Sequence, residues 1–237
     1  MIISIRDYFL KAIIFIALAY SYNVGAQAVS PVRAALNEAR DLAAEGHADG
    51  AVEILAGLHE GGFNAVQVIT GDEVLAALEG NSAYDALIDK MSEQAYPCEH
   101  DDGFREFDFW VGEWDVHIAD GTFAGHNVIE SSQRGCVLIE QWSSATGGTG
   151  SSINYLDKTS GEWVQIWNDA SGSQIRIRGG LTEEGMLLTG TIHYVASDTT
   201  ADFRGLWTPL DDGRVRQFFE QSNDGGETWS AWFEGFY

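Results

Sequence analysis

The chain has 237 residues, of which 45% are hydrophobic and 21% are charged, and only 3 are proline. This composition is typical of a globular protein and excludes a disordered or fibrous one. With 13 basic against 36 acidic residues the formal net charge is -23, which repels phosphate backbones and anionic lipid surfaces and excludes nucleic acid as a partner.

The first 26 residues have the order of a secretory signal peptide. Arg6 and Lys11 precede the apolar run 12–19, and the small residues Val24-Gly25-Ala26 follow it. This order predicts cleavage near Ala26 or Ala28 and a periplasmic or secreted protein without stable membrane insertion after signal removal. An uncleaved membrane anchor is the alternative, although the run is short for a bilayer span.

Residues 27–96 are predicted to form a small helical region. Alanine and leucine recur at helical spacing in four segments, at 32–45, 49–58, 73–78 and 82–93. The first two segments together resemble one degenerate tetratricopeptide hairpin. Because a solenoid needs about three stacked repeats, we expect a helical cap, with a peptide-binding groove as the alternative.

The composition changes near Pro97, since all eight tryptophans follow it, and this change predicts a second domain over 97–237. From Phe107 onward the hydrophobic pattern has period two, with turn signals at short intervals. Short antiparallel strands joined by tight turns favour a closed up-and-down barrel, which removes exposed edges. A two-sheet sandwich is the alternative. The clearest predicted strands are 136–143, 152–156, 163–168, 174–178, 186–195, 202–208, 214–221 and 228–236.

The stretch from Pro97 onward resembles a family of exported bacterial lipocalin-like barrels of uncharacterised function. The resemblance depends on Gly112-Glu113-Trp114, on Gly135-Cys136, on the Trp163 and Trp167 strand and on the last hairpin. It implies an α+β fold, in which a small helical N-terminal region precedes an antiparallel lipocalin/calycin-like barrel. It also implies that Trp114 closes one barrel end beneath a late-strand arginine, for which Arg204 and Arg216 are the candidates.

The run 222–229 matches the Ser-x-Asp-x-Gly-x-Thr-Trp pattern called the Asp box. In such a turn Asp224 accepts backbone amides, glycine adopts positive φ and Trp229 packs over the loop. We therefore predict a stabilised hairpin, with glycan binding as the alternative.

Cys98 and Cys136 are the only cysteines, and an even pair in an exported domain favours a disulfide. The alternative is a metal site that includes Cys98-Glu99-His100, but no second spaced pair accompanies it. We expect neither a metal nor a cofactor.

Strand alternation predicts a ligand-binding pocket inside the barrel, because every other residue of a strand shares one face. Asn154 and Arg204 are possible additions to this pocket, and a solid, filled core is the alternative. The side chains predicted to face one lumen are Glu140, Trp142, Trp163, Gln165, Trp167 and Gln217.

The most favoured function is the binding of a small hydrophobic or amphipathic molecule in this lumen. The sequence contains no nucleophile elbow, phosphate-binding loop, dinucleotide fingerprint or HExxH helix. One alternative is an isomerase or lyase that uses Glu140 as general acid or base. The other is an interaction protein that acts through the helical cap.

Overall fold

The computed structural model describes residues 30–237, and the predicted signal segment lies outside them. The α+β prediction is confirmed: a small helical N-terminal region precedes a closed antiparallel up-and-down barrel of the lipocalin/calycin type. Contacts divide the chain into two compact units between Phe63 and Asn64. Within residues 30–237, no helix combines the length and apolar character that a membrane crossing requires.

The first unit contains a helical hairpin of α1 (Pro31–Ala44) and α2 (Ala48–Glu60). The Ser30 hydroxyl accepts a hydrogen bond from the Arg33 amide at 3.2 Å, so it caps α1 as the sequence predicts. Gly46, with φ of +80°, allows the chain to reverse after α1. The hairpin buries mainly alanine and leucine, namely Leu36, Ala39, Ala43, Ala51 and Leu55.

The second unit begins with three short α-helices, α3 (Val66–Thr70), α4 (Ser82–Ala95) and α5 (Pro97–His100). The segment predicted at 73–78 forms a 3₁₀ turn over Leu75–Leu78. The sequence pattern does not predict α3, because its five residues are too few for a periodic pattern and include β-branched side chains.

Ten antiparallel strands form the barrel, in which each strand pairs with the next and β1 also pairs with β10. Strands β3 to β10 agree with the predicted runs to within a few residues. The bounds are β1 (Gly112–His117), β2 (Phe123–Ser132), β3 (Val137–Ser144), β4 (Thr149–Asp157), β5 (Glu162–Asp169), β6 (Ser173–Thr182), β7 (Gly185–Tyr194), β8 (Thr199–Pro209), β9 (Val215–Ser222) and β10 (Ser230–Phe236).

Aromatic side chains close one end of the barrel. Phe107 lies with its ring centroid 5.0 Å from Trp110, 5.6 Å from Trp163 and 5.2 Å from Trp207. All four side chains are at most 1% exposed. Because each buried aromatic removes on the order of 150 to 250 Å² from water, these four form the apolar plug of the barrel.

The predicted disulfide between Cys98 and Cys136 is confirmed. It connects α5 to the residue that precedes β3 across 38 positions, a closure worth about 4 kcal/mol on the chain-entropy estimate. Arg134 reinforces this connection through an ion pair with Glu99 at 2.9 Å. The alternative metal site at Cys98 is excluded because its sulfur is bonded to that of Cys136.

The prediction that a late-strand arginine lies over Trp114 is wrong. Arg204 lies 4.3 Å from the ring centroid of Trp229, and Arg216 lies 4.5 Å from that of Phe218. The buried positions of β8 and β9 alternate with these arginines, which places both on the outer face of the barrel. Trp114 instead donates its indole N–H to a backbone carbonyl at 3.0 Å.

The Asp box forms the turn between β9 and β10, as predicted. Asp224 accepts hydrogen bonds from the Thr228 amide at 2.9 Å, from the Thr228 hydroxyl and from the Ser222 hydroxyl at 2.7 Å. These bonds, with that of the Thr228 side chain the largest contributor, lower the pKa of Asp224 to about 2. The carboxylate therefore holds the two sides of the turn together.

Replacement of Asp224 by alanine should lower the melting temperature at pH 7, because the turn loses these charge-assisted bonds. A lowered pKa means that the ionised group stabilises the fold above pH 3.8, and that this effect disappears as the pH falls toward 2. The difference between wild type and Asp224→Ala, measured by thermal unfolding, should therefore shrink over that interval. Asp211→Ala, in the exposed loop between β8 and β9, is the control because it changes the charge by the same amount. Equal melting temperatures for wild type and Asp224→Ala at pH 7 would contradict a stabilising role of Asp224 in the turn.

Candidate functional site

The barrel contains a cavity of about 280 Å³ on the side of the lumen away from the apolar plug. Its walls are largely aromatic, and they reach the barrel end where β3 finishes and β10 begins. Ser144 and the exposed Trp232 lie at that end, so the cavity is accessible from outside. The aromatic lining consists of Trp142, Trp167, Phe219, Trp232 and Phe233, and the polar lining includes Glu140, Gln217 and Tyr237.

Four of the six side chains predicted for the pocket line this cavity: Glu140, Trp142, Trp167 and Gln217. The other two lie elsewhere in the barrel interior. Trp163 belongs to the apolar plug and donates its indole N–H toward Glu106 at 3.3 Å. Gln165 is buried among polar side chains between the plug and the cavity.

Glu140 lies at the centre of the site and is only 3% exposed. One carboxyl oxygen accepts a hydrogen bond from the Asn127 amide at 2.8 Å, and the other accepts one from the Ser152 hydroxyl at 2.6 Å. Ser152 is the direct cross-strand partner of Glu140 on β4. The register of β3 against β4 therefore places one of the two donors beside the carboxyl group.

Two further side chains extend the hydrogen-bond network along β4 and β5. Asn154 donates to the Ser152 hydroxyl at 2.8 Å, and Gln165 donates to the Asn154 carbonyl at 2.9 Å. Asn154 and Gln165 are opposite each other in the register, and both are almost fully buried. Because buried amides are costly without partners, this arrangement offsets the loss of their hydration.

On the other side of Glu140 the network continues to Tyr237. Asn127 donates to the Tyr237 hydroxyl at 3.1 Å, and that hydroxyl donates in turn to the side-chain carbonyl of Gln217. Burial, followed by the nearby Glu140 carboxyl, raises the pKa of Tyr237 well above 10. Tyr237 therefore remains a neutral hydrogen-bonding group at physiological pH.

Burial raises the pKa of Glu140 from its ordinary value of 4.5 to about 7. The hydrogen bonds from Ser152 and Asn127 stabilise the ionised form and oppose this increase. The effect of desolvation on the pKa is larger than that of the two hydrogen bonds. In addition, no basic side chain among residues 30–237 lines the cavity to compensate the charge. Glu140 can consequently gain or lose a proton near neutral pH.

The other polar residues predicted for the pocket do not donate to Glu140. Arg204, a possible addition to the pocket, lies on the outer face, where it pairs with Glu220 at 2.7 Å. Gln165 and Gln217 belong to the same network, but two other side chains separate each of them from the carboxyl. Asn127 and Ser152 depend on strand register, which alternation within a single strand cannot provide.

A β-bulge adds an aromatic side chain that alternation did not predict. The register of β10 against β9 shifts between Ala231 and Phe233, so Trp232 and Phe233, although adjacent in sequence, both line the cavity. On β4, Gly150 leaves room for the Trp167 ring, which a Cβ atom there would overlap. These irregularities produce the aromatic wall.

Glu140→Gln should change how stability depends on pH. A raised pKa means that ionisation opposes folding, so wild-type stability should be highest below about pH 4.5, fall as the pH rises to about 7 and then level off. The free energy of unfolding of Glu140→Gln relative to wild type should therefore increase by about 3 kcal/mol over that range. Urea unfolding at several pH values measures this difference. Glu130→Gln, which makes the same substitution at an exposed position on β2, is the control. A pH-independent difference for Glu140→Gln would contradict the burial of an ionisable group.

Comparison with known proteins assigns no function to this geometry. A scan against models of protein families gives no match, and a search of curated proteins gives no significant similarity. The barrel fold is shown by the structure, whereas the resemblance to exported lipocalin-like proteins and the tetratricopeptide-like hairpin stay predictions.

Proposed function

We propose that the barrel binds a small hydrophobic or amphipathic molecule in its lumen. The observation that carries the proposal is the cavity of about 280 Å³, which has aromatic walls and a polar floor formed by Glu140, Gln217 and Tyr237. This volume is just below the range of about 300 to 1,000 Å³ typical of ligand pockets. The ligand is therefore a compact molecule, held by apolar contact and oriented by a few polar groups.

The network around Glu140 supports this proposal because it fixes the polar groups of the floor before a ligand arrives. Asn127 and Ser152 restrain both carboxyl oxygens, and Tyr237 restrains Gln217. Pre-organised polar groups lose little side-chain entropy when a ligand binds. An apolar plug behind the floor closes the other end of the barrel, so a ligand enters from the Trp232 side.

We further propose that the protein works in the periplasm or outside the cell. The Cys98–Cys136 disulfide supports this location, since such bonds persist in oxidising compartments and are rare in the cytosol. The signal peptide predicted for residues 1–26 would provide the route.

Acid–base catalysis by Glu140 is the second candidate function, and its pKa of about 7 favours it. A general acid or base works best when its pKa is near the operating pH. Binding is preferred because Tyr237, the other titratable group that lines the cavity in the described chain, is held neutral. A role for the helical cap in protein interaction stays a prediction.

A fluorescence titration with N-phenyl-1-naphthylamine, an uncharged aromatic probe, tests the lumen as a binding site. We expect saturable one-to-one binding, with quenching of tryptophan emission because several indoles line the cavity. Trp167→Ala should weaken this binding about tenfold or more, since it removes part of the wall, an effect of about 1.4 kcal/mol or more.

Ile166→Ala is the matched control, because Ile166 is the neighbouring residue on β5 and is exposed on the outer face. It should bind the probe as wild type does. Circular dichroism and thermal unfolding establish that both variants are folded. Equal weakening by the two substitutions, or the absence of saturable binding to wild type, would refute the lumen as the binding site.

A further inference from the structure

The carboxyl group of Glu140, in the floor of the cavity, can accept further hydrogen bonds. Each Glu140 oxygen accepts one hydrogen bond from the protein, although a carboxylate oxygen can accept two. Among residues 30–237, no Lys, Arg or His side chain lines the cavity, so these residues provide no counter-ion. A cationic ligand would supply the positive partner that an ionised Glu140 lacks among them.

The walls around this carboxyl suit a cation. Trp142 and Phe233 meet edge to face with centroids 6.1 Å apart, while Phe219 and Trp232 are tilted by 43° at the same separation. The rings that line the cavity therefore lie at different angles to one another instead of in one plane. The negative face of an aromatic ring attracts organic cations, most strongly where water is excluded.

The charge of the site excludes an anionic ligand. An anion in the lumen would lie beside Glu140, with no basic side chain from the described part of the chain to balance it, in a protein of formal net charge -23. A neutral ligand would leave the buried carboxyl uncompensated, so that the protein would have to keep Glu140 protonated. A cation instead balances the carboxylate and attracts the ring faces.

We propose that the lumen binds an organic ammonium ion, whose charged nitrogen donates to Glu140 and whose apolar body packs against the Trp142, Trp167 and Trp232 indoles. This inference rests on the proposed lumen-binding function and specifies its ligand class. The small cavity restricts the ligand to a compact amine with one aromatic or aliphatic body.

Affinity for such a ligand should increase with pH from 5.5 to 8, since Glu140 must be ionised to pair with the amine. The groups that face Glu140 are the uncharged Asn127 on β2 and Ser152 on β4, together with Tyr237, whose pKa is raised well above 10. Among the described residues that line the cavity, Glu140 is therefore the one whose charge changes in this interval.

Calorimetry with two probes of matched shape tests the inference: phenethylamine, a cation at pH 8, and 2-phenylethanol, its neutral counterpart. We expect wild type to bind the amine at least tenfold more tightly than the alcohol, and to bind it more weakly at pH 5.5. In Glu140→Gln this preference should fall to less than threefold. In Glu130→Gln, which removes the same charge from the outer face, the preference should persist.

Equal or tighter binding of the alcohol by wild type would overturn the ammonium inference while leaving the lumen as a binding site. Binding of N-phenyl-1-naphthylamine without any binding of phenethylamine would overturn it in the same way. Failure of all three probes would refute both proposals. The comparison between the amine and the alcohol uses the wild-type protein, so it is decisive even if a Glu140 variant fails to fold.

Discussion

A carboxyl group buried in the middle of a barrel constrains the structure around it, because its charge must be hydrogen-bonded, paired or neutralised. In this protein the constraint is met by Asn127 on β2 and Ser152 on β4, which donate to the two oxygens of Glu140. The donors come from both strands that flank β3 in the sheet. The position of Glu140 therefore depends on the register of three strands, and a slip of one residue would turn these polar groups outward.

The polar layer divides the barrel interior into two parts with different roles. Below it, Phe107, Trp110, Trp163 and Trp207 fill the closed end and provide the apolar burial that stabilises the fold. Above it, aromatic side chains surround a space that no side chain of residues 30–237 fills. The difference arises because the chain segment before β1 adds Phe107 and Trp110 to Trp163 and Trp207 of the strands at that end. The polar layer thus becomes the floor of a site.

The sequence predicts those features that depend on local pattern. Period-two alternation and turn residues predict β3 to β10, and the same alternation places Glu140, Trp142, Trp167 and Gln217 in the lumen. It does not separate the plug from the cavity, so Trp163 belongs to the same predicted face but lies at the closed end. The pattern does not predict side chains whose position depends on strand register or on an irregular backbone. Examples are the donors Asn127 and Ser152, and Phe233, which the bulge in β10 places against the cavity. Long-range pairing determines them, and no single segment encodes it.

The ionisation of Glu140 is the property on which the site depends, and NMR measures it directly. The side-chain carboxyl carbon of Glu140, in protein labelled with ¹³C-glutamate and assigned by its absence from Glu140→Gln, can be followed during a pH titration without ligand. The structure predicts a midpoint near pH 7, because burial outweighs the hydrogen bonds from Ser152 and Asn127. A midpoint near the ordinary value of 4.5 would show that water reaches and solvates the carboxylate, and would contradict this account of the site.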